Sequence, residues 1–216
     1  MSRSSKESDG SVSKLFSPVR VSNSPKSTNK TANLTGNERQ VKDGCADIYN
    51  AVQKWSKINR EGTDVITEMA NIRISFLLQS NEDYAERPDN SSDLQKLESL
   101  CEDLHSCVQK LKKLVLKMKA VANKFNGVQN LSQYKNDCDV MFQTWLTKDF
   151  ASAAEEISVM YLKECELKQV IYENVCHAVS RDSVMFYTSA WVHQPYIEER
   201  AELLLQSMLT ETGHVS

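Results

Sequence analysis

The sequence predicts an all-α fold: an elongated helical hairpin or bundle built around one long coiled-coil-like helix, preceded by a disordered N-terminal arm. Three observations carry that reading. Apolar residues recur at steps of three and four over most of residues 38–212. The six glycines and four prolines read as belonging to the arm, to breaks between helices or to caps. The one stretch with strand propensity, Val184-Met185-Phe186-Tyr187-Thr188, has no partner strand elsewhere, so it is read as helix.

Residues 1–37 are rich in Ser, Asn, Thr and Lys, with six Lys/Arg against two Asp/Glu and no apolar period. Such a segment cannot bury enough apolar surface to offset its chain entropy and is expected to be disordered. Ser17-Pro18-Val19-Arg20 fits the Ser-Pro-x-basic pattern favoured by cyclin-dependent kinases, and Ser24-Pro25-Lys26 is a weaker Ser-Pro site. Ser17 and Ser24 are therefore candidate phosphorylation sites. Ser-Pro pairs also serve as ordinary turn chemistry.

A first helix is expected over about residues 38–60, where Val41, Cys45, Ile48, Val52 and Trp55 form an amphipathic seam. Glu61-Gly62 interrupts it, and Thr63 can cap a second helix over 63–80 carrying Val65, Met69, Ile72 and Phe76. Gly62 could equally bend one continuous helix. Residues 80–92, with Pro88, read as a polar loop.

The third helix, 93–126, has the clearest pattern. Leu97, Cys101, Leu104, Val108, Leu111, Val115, Met118, Ala122 and Phe125 alternate steps of four and three. Leu100, Cys107, Leu114 and Val121 widen the stripe beyond that of a two-stranded zipper. Acidic residues at its start and lysines toward its end complement the helix dipole. Those lysines lack interleaved aromatics or arginines and read as a solvated face.

Asn126-Gly127 is expected to end that helix, leaving 127–146 as an irregular connector that contains Phe142-Gln143-Thr144-Trp145. A fourth helix follows from Thr147 to about Ser180, with Phe150, Ala154, Ile157, Tyr161, Leu167 and Ile171 inward. Glu155, Glu156, Lys163, Glu164, Glu166 and Lys168 are assigned to its polar face. Arg181-Asp182-Ser183 reads as a turn and cap. Pro195 breaks the next helix at Gln194 and can open the last one, which Gly213 stops. Leu203, Leu205 and Leu209 give that helix more leucine than one face needs, which points to a partner surface.

Chemistry-bearing patterns are missing. The sequence holds no Gly-rich phosphate loop, no H-E-x-x-H and no nucleophile elbow. Glu155-Glu156 and Glu198-Glu199 are sequence neighbours and diverge on a helix, so neither forms a proton-sharing dyad. Cys176-His177 diverge likewise, and pairing Cys176 with His193 or His214 has no spacing to support it. The expectation is a non-enzyme with no cofactor and no metal. The six cysteines lack C-x-x-C spacing and read as reduced thiols used as small hydrophobes. A net charge of −3 gives no reason to expect direct nucleic-acid binding. No apolar run is long enough for a membrane span and the first thirty residues lack a signal-peptide core, so a soluble, unsecreted chain is expected.

The wording Trp191-x-His193-Gln194-Pro195-Tyr196-Ile197-Glu198, followed by Leu205-Gln206-Ser207-Met208-Leu209-x-Glu211-Thr212-Gly213-His214, resembles the C-terminal signature of the cyclin-dependent kinase 2-interacting protein family. Trp55, Ala70-Asn71-Ile72-x-Ile74-Ser75 and Phe142-x-Thr144-Trp145 extend the resemblance over about residues 40–214. The arm and the 80–92 loop differ from it. The resemblance implies a small, non-enzymatic nuclear adaptor in DNA replication and the genotoxic-stress checkpoint. Its implied partners are cyclin-dependent kinase, the Cdc7-type kinase, checkpoint proteins and AAA-type ATPases of the spermatogenesis-associated class, the last in ribosome maturation and replisome proteostasis. Residues expected to contact partners are Trp191, His193, Gln194, Pro195, Tyr196, Glu198, Leu203, Leu205 and Met208, with Trp191 and Tyr196 as anchors. The alternative is a structural coiled-coil protein that self-associates through its third helix.

Overall fold

The computed structural model describes residues 36–79, 91–134 and 140–215. Its elements are α1 (Asn37–Gln79), α2 (Ser91–Tyr134), α3 (Thr147–Asn174), a 3-10 turn (Val175–His177), α4 (Arg181–His193) and α5 (Glu199–Glu211). The fold is all-α, and the described residues contain no strand. The arm with Ser17 and Ser24, and the loop at 80–90, lie outside the described residues.

α1 is one continuous helix, the second of the two alternatives at Gly62, in place of separate helices over 38–60 and 63–80. Thr63 does not cap; its hydroxyl donates to the Asn59 carbonyl at 2.9 Å, an i−4 bond inside a continuing helix. Gly62 and Gly44 are buried helix-interior positions, not breaks. Each accepts a large aromatic against its bare backbone: Trp191 at Gly62 and Phe125 at Gly44. α2 also runs further than expected, through Gly127 to Tyr134, because Val128 continues the buried seam one turn past Phe125.

α2 packs against α1 on one side and α3 on the other, α4 lies on α1, and α5 rests on α3 and α1. Nearly all the core forms one cluster drawn from all five helices. The wide α2 stripe, Leu97 through Val128, is buried within the chain itself, so the seam that self-association would use is already occupied. A fully buried leucine is worth about 1.5–3 kcal/mol, which makes this stripe the dominant favourable term in the hairpin.

The helix ends after Asn126 also differ from the sequence reading. α3 begins at Thr147 as expected, where the Asp149 carboxylate accepts from the Leu146 backbone N–H at 2.9 Å. It stops at Asn174 rather than near Ser180; the Asn174 side chain donates back to the Val170 carbonyl at 2.7 Å and the chain tightens into the 3-10 turn. Ser180, not the 181–183 segment, caps α4, its hydroxyl accepting from the Ser183 N–H at 3.1 Å. Pro195 does break α4 at Gln194, but it sits in a turn instead of opening α5, whose N-cap is Glu198.

Candidate partner-docking segment

Gln194 ends α4 in the left-handed region, at φ 48° and ψ 62°. A non-glycine residue pays strain there, and the side chain is held by a partner: the Trp55 indole N–H donates to Gln194 Oε1 at 2.7 Å. The Gln194 carbonyl accepts from the Ile197 N–H at 3.0 Å, closing the turn that carries Pro195 and Tyr196. The Tyr196 backbone N–H donates to the Glu164 carboxylate at 3.1 Å. Trp55 in turn meets Tyr161 edge-on, with centroids 5.0 Å apart.

Trp191 is fully buried. Its indole lies against Gly62 and its N–H donates to the Asn59 carbonyl at 3.2 Å. Its own carbonyl, one of the orphan acceptors at the end of α4, accepts from the Lys168 ammonium at 2.8 Å. The same ammonium stands 4.4 Å from the Trp191 ring centroid and 3.1 Å from Glu164. Glu164 and Lys168, assigned to the polar face of α3, are completely buried. Burial pulls the Lys168 amine down to about 8 while Glu164 pulls it up. Such a pair is tolerable inside a core only where its charges meet partners, here the Trp191 carbonyl and ring for Lys168 and the Tyr196 N–H for Glu164.

A second closure joins the connector to the end of α5. The Glu211 carboxylate accepts backbone N–H bonds from Thr144 at 2.9 Å and from Gln143 and Trp145 at 3.2 Å, and one from the Thr144 hydroxyl. The Gln143 amide donates to the Thr210 carbonyl at 2.9 Å. Desolvation would raise the Glu211 carboxyl, but these donors outweigh it and hold it below its usual range. Trp145 and Phe142 pack edge-on to Phe150. Beyond Glu211, His214 N–H to Leu209 and Gly213 N–H to Thr210 form a Schellman cap, with Gly213 at φ +67°. The His214 ring reaches the Lys42 carbonyl at 3.0 Å.

The expected contact residues therefore separate into two groups. Trp191, Leu205 and Met208 are core, which removes them from any surface a partner could touch in this conformation. Gln194 is half-buried and engaged with Trp55. His193, Pro195, Tyr196, Glu198 and Leu203 are exposed, Leu203 at 64% and Tyr196 at 47%. Leu203 lies among Glu199, Arg200, Glu202 and Gln206, and Arg200 is paired with Glu156. On α4, Met185 and Phe186 add exposed apolar surface that the sequence reading had not singled out.

Among the described residues no group of three or more His, Cys, Asp or Glu side chains could hold a metal ion. No helix in them is long and apolar enough to cross a membrane. Cys176 faces Cys101, not a histidine, and His214 is engaged with Lys42.

Such features define a class: an all-helical bundle whose C-terminal segment is clasped onto the first and third helices, with apolar side chains left on its outer face. No protein-family model matches the chain. It is similar to cyclin-dependent kinase 2-interacting proteins of Bos taurus (34% identical over 194 residues), Homo sapiens (33% over 198) and Xenopus laevis (30% over 195). The matches cover 84% of this chain and 92% of the relative for the first two, and 87% and 94% for the third. The chain belongs to the cyclin-dependent kinase 2-interacting protein family. The relatives are named as interacting proteins and not as enzymes.

Proposed function

We propose that the chain is a non-enzymatic adaptor that binds a cyclin-dependent kinase assembly through the outer face of its C-terminal segment, centred on Leu203 and Tyr196. The observation that carries this reading is the division of the last helix. Ala201, Leu205, Met208 and Leu209 enter the core, while Leu203 stands out at 64% exposure and Tyr196, in the turn before the helix, at 47%. An exposed leucine and tyrosine with a charged rim match the anatomy of a small interface. The relatives' name supplies the kinase class.

The adaptor reading extends to a nuclear role in replication and checkpoint signalling that includes the Cdc7-type kinase and checkpoint proteins. It extends also to a complex with AAA-type ATPases of the spermatogenesis-associated class in ribosome maturation. A native pull-down from nuclear extract tests this: stoichiometric ATPase supports the complex, and its absence from the bound fraction counts against it.

For the kinase reading, Leu203→Glu and Tyr196→Ala are measured against a purified cyclin-dependent kinase 2–cyclin complex. Both side chains are exposed, so helix content and melting temperature should stay as in the parent chain. Affinity is expected to fall about tenfold or more, the scale of an interface anchor. Undiminished binding by the double variant would sink the proposal. Truncation at Gln194 is a poorer test, because it also strips four core side chains.

A further inference from the structure

Two half-buried thiols face each other at the end of the bundle. Cys101 on α2 and Cys176 in the 3-10 turn place their sulfur atoms 2.9 Å apart, across 75 residues of chain. A disulfide needs about 2.05 Å, so under ~1 Å of approach separates contact from bonding. From this geometry we infer that Cys101 and Cys176 form an oxidisable dithiol site, which a peroxide converts into an intramolecular bridge between α2 and the α3–α4 junction.

The surroundings favour this pair over the other thiols of the described residues. Cys45, Cys107 and Cys165 are buried in the core, whereas Cys101 and Cys176 retain access to solvent. Arg73 on α1 donates to the Ala178 carbonyl at 2.8 Å, two residues past Cys176, and its charge favours the Cys176 thiolate. Desolvation and the Cys101 hydrogen bond nevertheless push the Cys176 thiol up to about 12. At neutral pH Cys176 therefore rests as the protonated thiol, and oxidation through its thiolate speeds up as pH rises. In a glutathione-buffered compartment the dithiol is the resting form.

The chemistry balances with hydrogen peroxide as oxidant. One thiolate attacks a peroxide oxygen, breaks the O–O bond, releases hydroxide and becomes a sulfenic acid. The second sulfur attacks the sulfenic sulfur and displaces its oxygen, which leaves as water. Two thiols lose two protons and two electrons, one S–S bond forms, and the peroxide becomes two waters. The bridge fastens the turn that leads into α4, the helix whose Trp191 closes the core.

The test uses the purified full chain, treated with hydrogen peroxide under native conditions, alkylated and mapped by mass spectrometry. The expected dominant product joins the Cys101 and Cys176 peptides, is lighter by two hydrogens, and reverts with dithiothreitol. A higher melting temperature should accompany it. Cys101→Ser and Cys176→Ser should each abolish both the product and the temperature rise, while Cys138→Ser should leave both intact. Continued alkylation of both thiols after peroxide overturns the inference. So does a dominant link to Cys138 or to a second chain. The peptide map is read on the parent protein, so it stands even if a serine variant folds poorly.

Discussion

The indole of Trp191 occupies the volume that a side chain at position 62 would need. A Cβ built there would stand 2.3 Å from Trp191 Cζ2 and 2.9 Å from Cε2. Both atoms belong to a rigid ring held by Asn59 and Lys168, so the ring cannot step aside cheaply.

Gly62→Ala is accordingly expected to destabilise the chain by about 1–3 kcal/mol, the usual cost of overpacking, even though alanine is the better helix former. Gly127→Ala supplies the contrast. That glycine lies inside α2 without a positive φ, and nothing lies within 4 Å of its added methyl. It should gain up to about 1 kcal/mol. Urea unfolding of both variants measures the difference, and equal signs would refute the packing account.

Gln194 and Trp55 should behave as a coupled pair. Gln194→Gly relieves left-handed strain worth roughly 1–2 kcal/mol but orphans the Trp55 indole N–H, a loss of similar size. The single change should lie within about 0.5 kcal/mol of the parent for that reason. In a Trp55→Phe background no N–H remains to be orphaned, and Gln194→Gly should then stabilise by about 1 kcal/mol. A double-mutant cycle with zero coupling would contradict the bond.

Lys168→Met leaves the Glu164 carboxylate buried beside the Tyr196 N–H without its counter-charge. A cost of about 3–5 kcal/mol is expected, as for other broken buried pairs. Adding Glu164→Leu removes the stranded charge and should recover a large part of that loss. Thermal unfolding of the single and double variants checks it; a double variant worse than Lys168→Met alone would count against the assignment.

The Glu211 closure makes an acid-sensitive contribution. Its folded-state carboxyl lies below the ordinary value of 4.5, so the folded chain binds fewer protons than the unfolded one as pH drops through that interval. Its stabilisation is complete above the unfolded value and is lost as pH falls through the folded one. Glu211→Gln should cost about 1–2 kcal/mol at pH 7, the scale of bonds to a charged acceptor at a partly solvated site. The difference between parent and variant should shrink in acid. An unchanged gap at pH 3 would disprove the role given to the carboxylate.

The all-α architecture was legible because a helix announces itself locally: the α2 stripe is written in adjacent turns, and every seam residue from Leu97 to Phe125 apart from half-buried Cys101 is buried. Helix ends were less legible. A glycine beside an acidic residue looks the same whether it breaks a helix or receives a ring from elsewhere, and Gly62 receives Trp191 across 129 positions of chain. The same long-range pairing moved Trp191 from a surface anchor to the core. One signal was available: Tyr161, Glu164, Lys168 and Ile171 share a helical stripe, which places a charged i,i+4 pair on an apolar face. The Phe142-x-Thr144-Trp145 and Glu211 segments stood out as wording, yet nothing in local sequence shows that one is the ligand of the other.

Clasping the tail onto the first helix also has a consequence for how the chain is made. Trp55, Asn59 and Gly62 are made well over a hundred residues before Trp191 and Gln194, which cover and satisfy them. Until those residues leave the ribosome, the Gly62 notch stays open and the α1–α2–α3 core lacks its fourth wall. The nascent chain thus carries an exposed apolar seam while those intervening residues are added, and a product cut short before Trp191 would be primed for aggregation and disposal.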